Sequence, residues 1–383
     1  MTQRLYEHDP YLRAFTAAVL RCQEGGQGWE VVLDRTAFYL EGGGQPGDRG
    51  TLGDAAVLDT RSRGDEVVHL CASPLLPGAE VRGSLDWDRR FDHMCQHSGE
   101  HIVSGLICAR YRCDNVGFHL GAAEVVIDFN RPIPGEDLPE IELAANQVIW
   151  ENRPFLVTHP APEALAALDY RSKKELHGDV RIVECPGADR CACCGTHVRA
   201  AGEIGLIKLT SLRPLREGVR ITLLAGRRAY DYVCMTAEQN HQISVLTSAR
   251  PGETAAAVAR LQEELAAARY RCVGLENQLF AGVAASLKGQ GDVLLFREDL
   301  GPDALRRLCE AVTDTCGGRC AVFSGADGEG YKYALGLRDG DLRPWLRELN
   351  TALNGRGGGK QPDFAQGSVR ASRAEIAGFF AKN

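Results

Sequence analysis

The most constraining feature of the sequence is a pair of separated metal-ligand motifs. The first is the stretch HSGEH, in which His97 and His101 lie four residues apart. The second is the stretch CACCGTH, in which Cys193 and His197 have the same spacing. Residues four apart share one face of a helix, and imidazole and thiolate groups are the ligands that zinc prefers. The two motifs therefore predict a metal site built from one cysteine and three histidines.

Distance limits decide which histidines of the first motif can act together. His93, His97 and His101 are evenly spaced, and a helix rises about 12 Å over eight residues. Two nitrogens bound to one zinc ion lie no more than about 4 Å apart. An adjacent pair must be chosen, and we choose His97 and His101. Glu100, which stands between them, is expected to face away from the metal and to be solvated.

The second motif offers several thiols. Cys193 has a helix-like spacing to His197, and Cys185, Cys191 and Cys194 are its rivals. An alternative cluster of Cys185, Cys191, Cys194 and His197 would be a purely structural zinc knuckle. Such a closed four-ligand shell is typical of structural sites, whereas hydrolytic zinc keeps a position for water or substrate.

Composition limits the class of protein. A chain of 383 residues is expected to form two to four domains. No apolar run approaches the roughly 20 residues that span a bilayer, and the charged N-terminus lacks the apolar core of a secretory signal. The expected location is the cytoplasm, where the 14 scattered cysteines would be thiols or metal ligands. The net charge of −7 argues against indiscriminate nucleic-acid binding but permits a local basic surface.

The pattern of turns and apolar residues divides the chain into four segments and predicts an α+β multidomain protein. The first is rich in short strands and contains the glycine-rich run EGGGQPGD, the second mixes helices and strands, the third is helical, and the last is α/β. The segments are 1–88, 89–228, 229–286 and 287–383.

Two features of the C-terminal half indicate contact surfaces. The helical segment carries apolar residues alternately three and four apart, which is a heptad seam of about three repeats. A helix packed on its own domain and a hairpin or dimer contact are both open interpretations. The glycine-rich run from Gly355 to Gly367 lies between two helical stretches and is predicted to be a binding loop. The seam residues are Val258, Leu261, Leu265, Ala268, Cys272, Leu275 and Leu279.

Several segments together resemble a known family. The stretches TAFY at 36–39, GGGQPGD at 42–48, QHSGEH at 96–101, CCGTHV at 193–198 and GEIG at 202–205 resemble the editing domain of alanyl-tRNA synthetases and of the free-standing AlaX proteins. The glycine loop that ends in PDFAQG resembles the DHHA1 domain at the end of alanyl-tRNA synthetases. The long AlaX form that carries a DHHA1 domain fits best.

This resemblance implies hydrolysis of the ester that joins serine or glycine to the 3′ end of alanine tRNA. His97, His101, Cys193 and His197 would then hold one Zn²⁺ per chain, and Thr36 and Gln45 would lie near the aminoacyl group as catalytic residues. The expected architecture is a small β-barrel over 1–88, a zinc-binding editing domain over 89–228, a helical hairpin or coiled-coil connector over 229–286 and a DHHA1-like α/β domain over 287–383. A homodimer through the connector and the C-terminal domain is one open expectation for the seam.

RNA contact is expected from clustered basic residues, because phosphates are bound by Lys and Arg. Two other functions remain open. One is a tRNA-binding protein whose zinc is only structural, and the other is editing of threonine tRNA, since threonyl-tRNA synthetases carry related motifs. The basic residues predicted to contact RNA are Arg213, Arg216, Arg227, Arg228, Arg356 and Lys360.

Overall fold

The computed structural model describes residues 2–64, 66–172 and 180–382. Within that part the chain contains twenty strands and eight α-helices, and it divides into two compact units, Met1–Asn240 and His241–Asn383. The predicted α+β multidomain class is therefore confirmed. The finer division into four segments stays a prediction.

Eight strands form the N-terminal part of the first unit, which confirms its β-rich interpretation. Six of them hydrogen-bond in the cyclic order β2-β3-β7-β6-β5-β8, and β8 pairs back with β2. We call these six strands the N-terminal ring. Phe15, Ala17 and Val19 alternate along β2 and point into its apolar interior. The bounds are β1 Gln3–Arg4, β2 Ala14–Gly25, β3 Gly28–Leu33, β4 Arg35–Thr36, β5 Gly50–Leu52, β6 Ala55–Arg63, β7 Glu66–Cys71 and β8 Glu80–Leu85.

A long helix, α1 (Trp87–Tyr111), follows the ring and carries the first metal-ligand motif. The side chain of Asp86 caps its first turn by accepting a hydrogen bond from the Arg89 amide. Every residue from His93 to Gly105 is buried, so this stretch of the helix is enclosed on all sides. The histidines of the motif therefore lie inside the unit and not on its surface.

The remainder of the first unit packs two sheets and further helices around α1. A four-stranded antiparallel sheet has the order β14-β15-β10-β9, and a three-stranded sheet has the order β11-β12-β13. Apolar residues of both sheets and of α1 and α2 form one core. The bounds are β9 Asn115–Leu120, β10 Val125–Phe129, α2 Leu138–Trp150, β11 Leu156–Thr158, α3 Pro162–Ala166, β12 Ile182–Cys185, β13 Asp189–Ala192, β14 Ile207–Leu215, β15 Gly218–Ala225 and α4 Gly226–Thr247.

The second unit contains the long helix α5 and a five-stranded sheet of order β16-β17-β18-β20-β19, in which β16 and β17 are parallel. Part of the glycine-rich run predicted to be a binding loop forms the antiparallel pair β19–β20. Among the described residues, no helix combines the length and the apolar character needed to cross a membrane. The bounds are α5 Thr254–Ser286, β16 Gly291–Arg297, α6 Pro302–Cys316, β17 Gly317–Ala326, β18 Gly330–Leu337, α7 Arg343–Ala352, β19 Gly355–Gly358, β20 Phe364–Val369 and α8 Arg373–Lys382.

Candidate metal centre

The two motifs converge on one point. His97 and His101 project from the same face of α1, and Cys193 and His197 approach from the segment that follows β13. The sulfur of Cys193 lies 3.5 Å from His97 Nε2 and 3.4 Å from His197 Nε2. One ligand atom from each of the four side chains lies within 4.8 Å of all the others. These are the four residues that the sequence selected as ligands.

The spacing of these atoms suits a small tetrahedral ion. Zinc with sulfur at about 2.3 Å and nitrogen at about 2.1 Å separates the two ligand atoms by about 3.6 Å. The two sulfur-to-nitrogen distances around Cys193 are 3.5 and 3.4 Å, close to that value. The set is therefore compatible with zinc.

The Nδ1 atom of each of the three imidazoles is held by a separate partner. Gln45 Oε1 lies 2.9 Å from Nδ1 of His97, and Ser98 Oγ lies 3.1 Å from Nδ1 of His197. A carboxylate oxygen of Asp189 lies 2.9 Å from Nδ1 of His101. The amide oxygen of Gln45 and the carboxylate of Asp189 can only accept, so His97 and His101 carry a proton on Nδ1, whereas the Ser98 hydroxyl can donate or accept. Metal-bound histidines are commonly held through the nitrogen opposite the metal in this way.

The electrostatics favour the thiolate form of Cys193. Burial alone would raise the pKa of this thiol, but His97, His101 and His197 outweigh burial and hold the pKa well below its usual value. Burial and the neighbouring His101 and His97 lower the pKa of His197, so its ring is neutral. Burial lowers the pKa of His101, but Cys193 and Asp189 outweigh burial and hold that pKa well above its usual value. The thiolate and the neutral His197 ring are the forms that metal binding requires, and a metal would displace the second proton of His101.

The segment from Cys193 to His197 is irregular, so the helix-like spacing predicted for it is wrong. Arg181 shapes it instead, because Nη1 donates to the carbonyl oxygens of Cys193 at 2.7 Å and Gly195 at 3.0 Å. A Cβ at Gly195 would overlap the ring of His97, so glycine permits the close approach of the turn to α1. Cys193 and His197 therefore reach the cluster from an irregular segment that Arg181 holds by hydrogen bonds, and not from a second helix.

The other cysteines and the histidine that the sequence offered as ligands lie outside the four-residue set. Cys194 is exposed, and burial raises the pKa values of Cys185, Cys191 and Cys194. The alternative knuckle of these three thiols with His197 is not formed, although Cys191 belongs to a second close group with His101 and Asp189. His93 is buried outside the four-residue set, and burial lowers its pKa to about 3.

Glu100 corrects an expectation from the sequence. Its side chain is buried and not solvated: Oε1 accepts hydrogen bonds from Ser104 Oγ at 2.8 Å and Asn115 Nδ2 at 2.5 Å. Oε2 lies 4.0 Å from His101 Nε2. The expectation assumed that a helix residue between two ligands faces water, whereas α1 is enclosed on all sides at this point.

Gln45 lies beside the metal ligands. It is buried, its Oε1 contacts His97, and its Nε2 donates to Thr196 Oγ1 at 2.9 Å. Gln45 also lines a cavity of about 420 Å³, together with Gly44, Arg61 and His119.

Thr36, on β4, is buried and contacts His69 of the N-terminal ring, a histidine that the sequence did not single out. His69 Nδ1 lies 3.1 Å from the carbonyl oxygen of Val31, which can only accept, so the proton is on Nδ1. Burial lowers the pKa of His69 to about 4 and keeps it neutral. Its Nε2 therefore accepts the hydroxyl proton of Thr36 at 2.8 Å, while the Thr36 oxygen accepts from the Phe38 amide at 3.1 Å.

The basic residues predicted to contact RNA differ in environment. Arg213, Arg216, Arg356 and Lys360 are exposed; Arg213 lies on β14, and Arg216 lies in the turn between β14 and β15. Arg227 is exposed and pairs with Asp231. Arg228 is largely buried; its guanidinium pairs with Asp92 at 2.6 Å and donates to the carbonyl oxygen of Gly121 at 2.8 Å.

Comparisons with known proteins agree with this arrangement. Residues 180–221, which include Cys193 and His197, match the threonyl and alanyl tRNA synthetase second additional domain. Residues 12–89, which include most of the N-terminal ring, match the class II (A) tRNA synthetases. The fold and the site thus define a protein of the class related to the accessory domains of alanyl- and threonyl-tRNA synthetases.

Individual relatives specify the family. The chain is 34% identical over 285 residues to alanyl-tRNA editing protein Aarsd1-A of Xenopus laevis, covering 72% of this chain and 69% of the relative. It is 28% identical to Aarsd1 of Mus musculus, covering 96% and 95% of the two chains. An alanine–tRNA ligase of Ignicoccus hospitalis is 29% identical over 94% of this chain, which spans 40% of that enzyme. The chain belongs to the family of alanyl-tRNA editing proteins.

Proposed function

We propose that this protein is a zinc-dependent hydrolase that removes serine or glycine from mischarged alanine tRNA at the 3′-terminal ester. The observation that carries the proposal is the convergence of His97, His101, Cys193 and His197. Family membership supports alanine tRNA as the substrate. The related threonyl domain keeps threonine tRNA as the second candidate.

The residues of the chain would divide the work as follows. His97, His101, Cys193 and His197 would hold one Zn²⁺, which supplies Lewis acidity and lowers the pKa of a nearby water. Gln45, Asp189 and Ser98 orient the three imidazoles. The cavity of about 420 Å³ lined by Gln45 lies one side chain away from His97 and would receive the terminal nucleotide.

Contact with the rest of the tRNA would come from exposed basic residues. Arg213, Arg216 and Arg227 lie in the first unit, and Arg356 and Lys360 lie in the second, whose residues 287–383 we take to be a DHHA1-like domain. Arg228 would support this surface indirectly, since its charge is neutralised by Asp92. Phosphate contacts of this kind weaken steeply as salt is raised.

The test is a deacylation assay on alanine tRNA charged with serine, glycine or alanine, with serine-charged threonine tRNA as the comparison. We expect release of serine or glycine from alanine tRNA, loss of release after chelation, and recovery on adding Zn²⁺. Binding of tRNA without release of any amino acid would identify a tRNA-binding protein with a structural zinc. Faster release from threonine tRNA would assign the activity to that tRNA.

Thr36→Val should reduce the preference for serine over alanine without loss of metal. The Thr36 proton is committed to His69, so its oxygen would act as an acceptor for the substrate hydroxyl, which valine cannot do. We expect the ratio of serine to alanine release to fall by about 10- to 100-fold. Relative deacylation rates and zinc content are the measurements. The matched control is Thr60→Val, a buried threonine of the N-terminal ring that donates to the Asp48 carbonyl oxygen. An unchanged ratio in Thr36→Val would remove this role.

We also propose that α5 pairs with α5 of a second copy. Its seam residues remain exposed in the single chain: Leu261 is 48%, Leu265 51%, Leu275 55% and Leu279 69% exposed. Such a stripe is typical of a helix that packs against another helix. Light scattering should give twice the 41.6 kDa chain mass. Leu265→Glu should yield monomers, whereas Arg260→Glu, which lies off the seam, should not; a monomeric wild-type protein would contradict the proposal.

A further inference from the structure

His101 differs from the other two imidazoles of the cluster in the charge of its partner. His97 and His197 are held by the neutral groups of Gln45 and Ser98. His101 instead faces the Asp189 carboxylate, whose Oδ2 lies 2.9 Å from Nδ1, and both side chains are only 2–3% exposed. An anionic acceptor on Nδ1 makes the opposite nitrogen a stronger donor.

Arg171 balances the charge of this carboxylate. Its Nε lies 2.6 Å from Asp189 Oδ1 and its Nη2 lies 2.9 Å from Oδ2, a two-point contact. The backbone of Arg171 is itself fixed against β13, because its amide donates to the Arg190 carbonyl oxygen and its carbonyl oxygen accepts from the Ala192 amide. Asp189 is thus a buried charge with a fixed cationic partner, and its Oδ2 is shared between Arg171 and His101.

Gly105 brings the carboxylate within reach of His101. It lies on α1 one turn after His101, where a Cβ would overlap the carbonyl oxygen of Ala188 and lie 2.5 Å from the Cβ of Asp189. The missing side chain lets the beginning of β13 lie directly against the helix. The contact between Asp189 and His101 therefore depends on the close approach of β13 to α1, which a side chain at Gly105 would prevent.

We infer that Asp189, fixed by Arg171 and admitted by Gly105, is a positioning residue that sets the affinity of the metal centre through His101. The inference rests on the proposed function, because it presumes that the four-residue set binds metal. The two neighbouring side chains at the start of β13 therefore have different roles, because Asp189 contacts His101 and Arg190 pairs with Glu184. Arg190 points to Glu184, 2.6 Å away, and makes no contact with the imidazoles.

A competing arrangement uses the same residues differently. His101, Asp189 and Cys191 form their own close group, so a metal held there would make Asp189 a direct ligand. In that case Cys191 would be required and Cys193 would not. The two arrangements therefore predict opposite effects for the two cysteines.

The experiment measures Zn²⁺ affinity of the full-length protein by competition with a chelator, without tRNA. Asp189→Asn should weaken binding by about 10- to 100-fold, the usual cost of losing an outer partner of a ligand. Glu184→Gln, which breaks the Arg190 pair on the same hairpin, and Cys191→Ser should leave the affinity unchanged. With saturating Co²⁺, the thiolate-to-cobalt absorption should persist in Asp189→Asn, because Cys193 remains.

Gly105→Ala tests the same contact without removing a polar group, and it decides the matter if Asp189→Asn does not fold by circular dichroism. It should weaken Zn²⁺ binding in the same direction. Unchanged affinity in the folded variants would overturn the inference, as would loss of the metal and of the cobalt absorption in Cys191→Ser. A wild-type protein that binds no Zn²⁺ would instead overturn the metal dependence of the proposed function.

Discussion

Replacing Cys193 by alanine should abolish metal binding and ester hydrolysis together. Cys193 is the single anionic side chain of the four-residue set, and the surrounding imidazoles hold the pKa of its thiol well below the usual value. Its loss leaves three imidazoles and removes the negative charge that attracts a divalent ion. The reduction in Zn²⁺ affinity should exceed the about 10- to 100-fold cost of losing an outer partner. Metal content and the deacylation rate are measured on the same preparation.

Neighbouring thiols provide matched controls for this variant. Cys194→Ala removes an adjacent exposed thiol, and Cys185→Ala removes a buried thiol on β12. Both should retain stoichiometric metal and the wild-type rate. A Cys193→Ala protein that keeps one zinc per chain and full activity would show that another residue supplies the sulfur.

Replacing Arg90 by methionine should reduce the free energy of unfolding by about 3–5 kcal/mol, the cost of breaking a buried ion pair from one side. Arg90 is fully buried on α1, and its Nε donates to Asp48 Oδ2 at 2.8 Å. Its other nitrogens donate to the carbonyl oxygens of Pro10 at 2.8 Å and Ala37 at 2.6 Å. Methionine fills similar space but leaves the Asp48 carboxylate and two carbonyl groups without these donors. The midpoint of denaturant unfolding, followed by tryptophan fluorescence, measures the loss.

The comparison for Arg90 is an ion pair at the surface. Arg63 pairs with Glu30 on the N-terminal ring, but its side chain is 62% exposed. Arg63→Met should change the unfolding free energy by no more than about 1 kcal/mol, because water already screens the pair. Equal, small losses in the two variants would mean that the Arg90–Asp48 pair contributes little beyond its packing.

The sequence predicted which four side chains converge because much of the relevant information is local. The four-residue spacing of His97 and His101 fixes a common helix face, and the distance limit on nitrogens bound to one zinc excluded a joint role for His93 and His101. The same spacing rule selected Cys193, which lies in the cluster, but on a helical geometry that the segment does not have. That segment is not helical, and its shape depends on a hydrogen bond from Arg181. Residue spacing alone does not predict that Arg181 lies close to Cys193.

The partners of Thr36 and His101 were missed because they come from distant segments. His69 on β7 contacts Thr36 on β4, and Asp189 on β13 contacts His101 on α1. Neither pairing has a sequence signature other than a polar residue in a buried element. The prediction for Glu100 was wrong because it assumed that α1 has one buried face and one solvent-exposed face, as a surface helix does. This part of α1 is buried on all sides.

The contact between Gln45 and His97 links the folding of the β4–β5 connection to the orientation of a histidine on α1. Gln45 belongs to the connection between β4 and β5, yet its amide oxygen orients a ligand on α1 and its amide nitrogen donates to Thr196. If the four-residue set binds metal, a nascent chain whose strands have not yet paired would offer an incompletely oriented imidazole and would bind the ion weakly. Metal binding would in turn favour the paired strands, since anything that binds only the folded form stabilises it. Metal loading would then be a late step in the folding of the segments that Gln45 connects to α1.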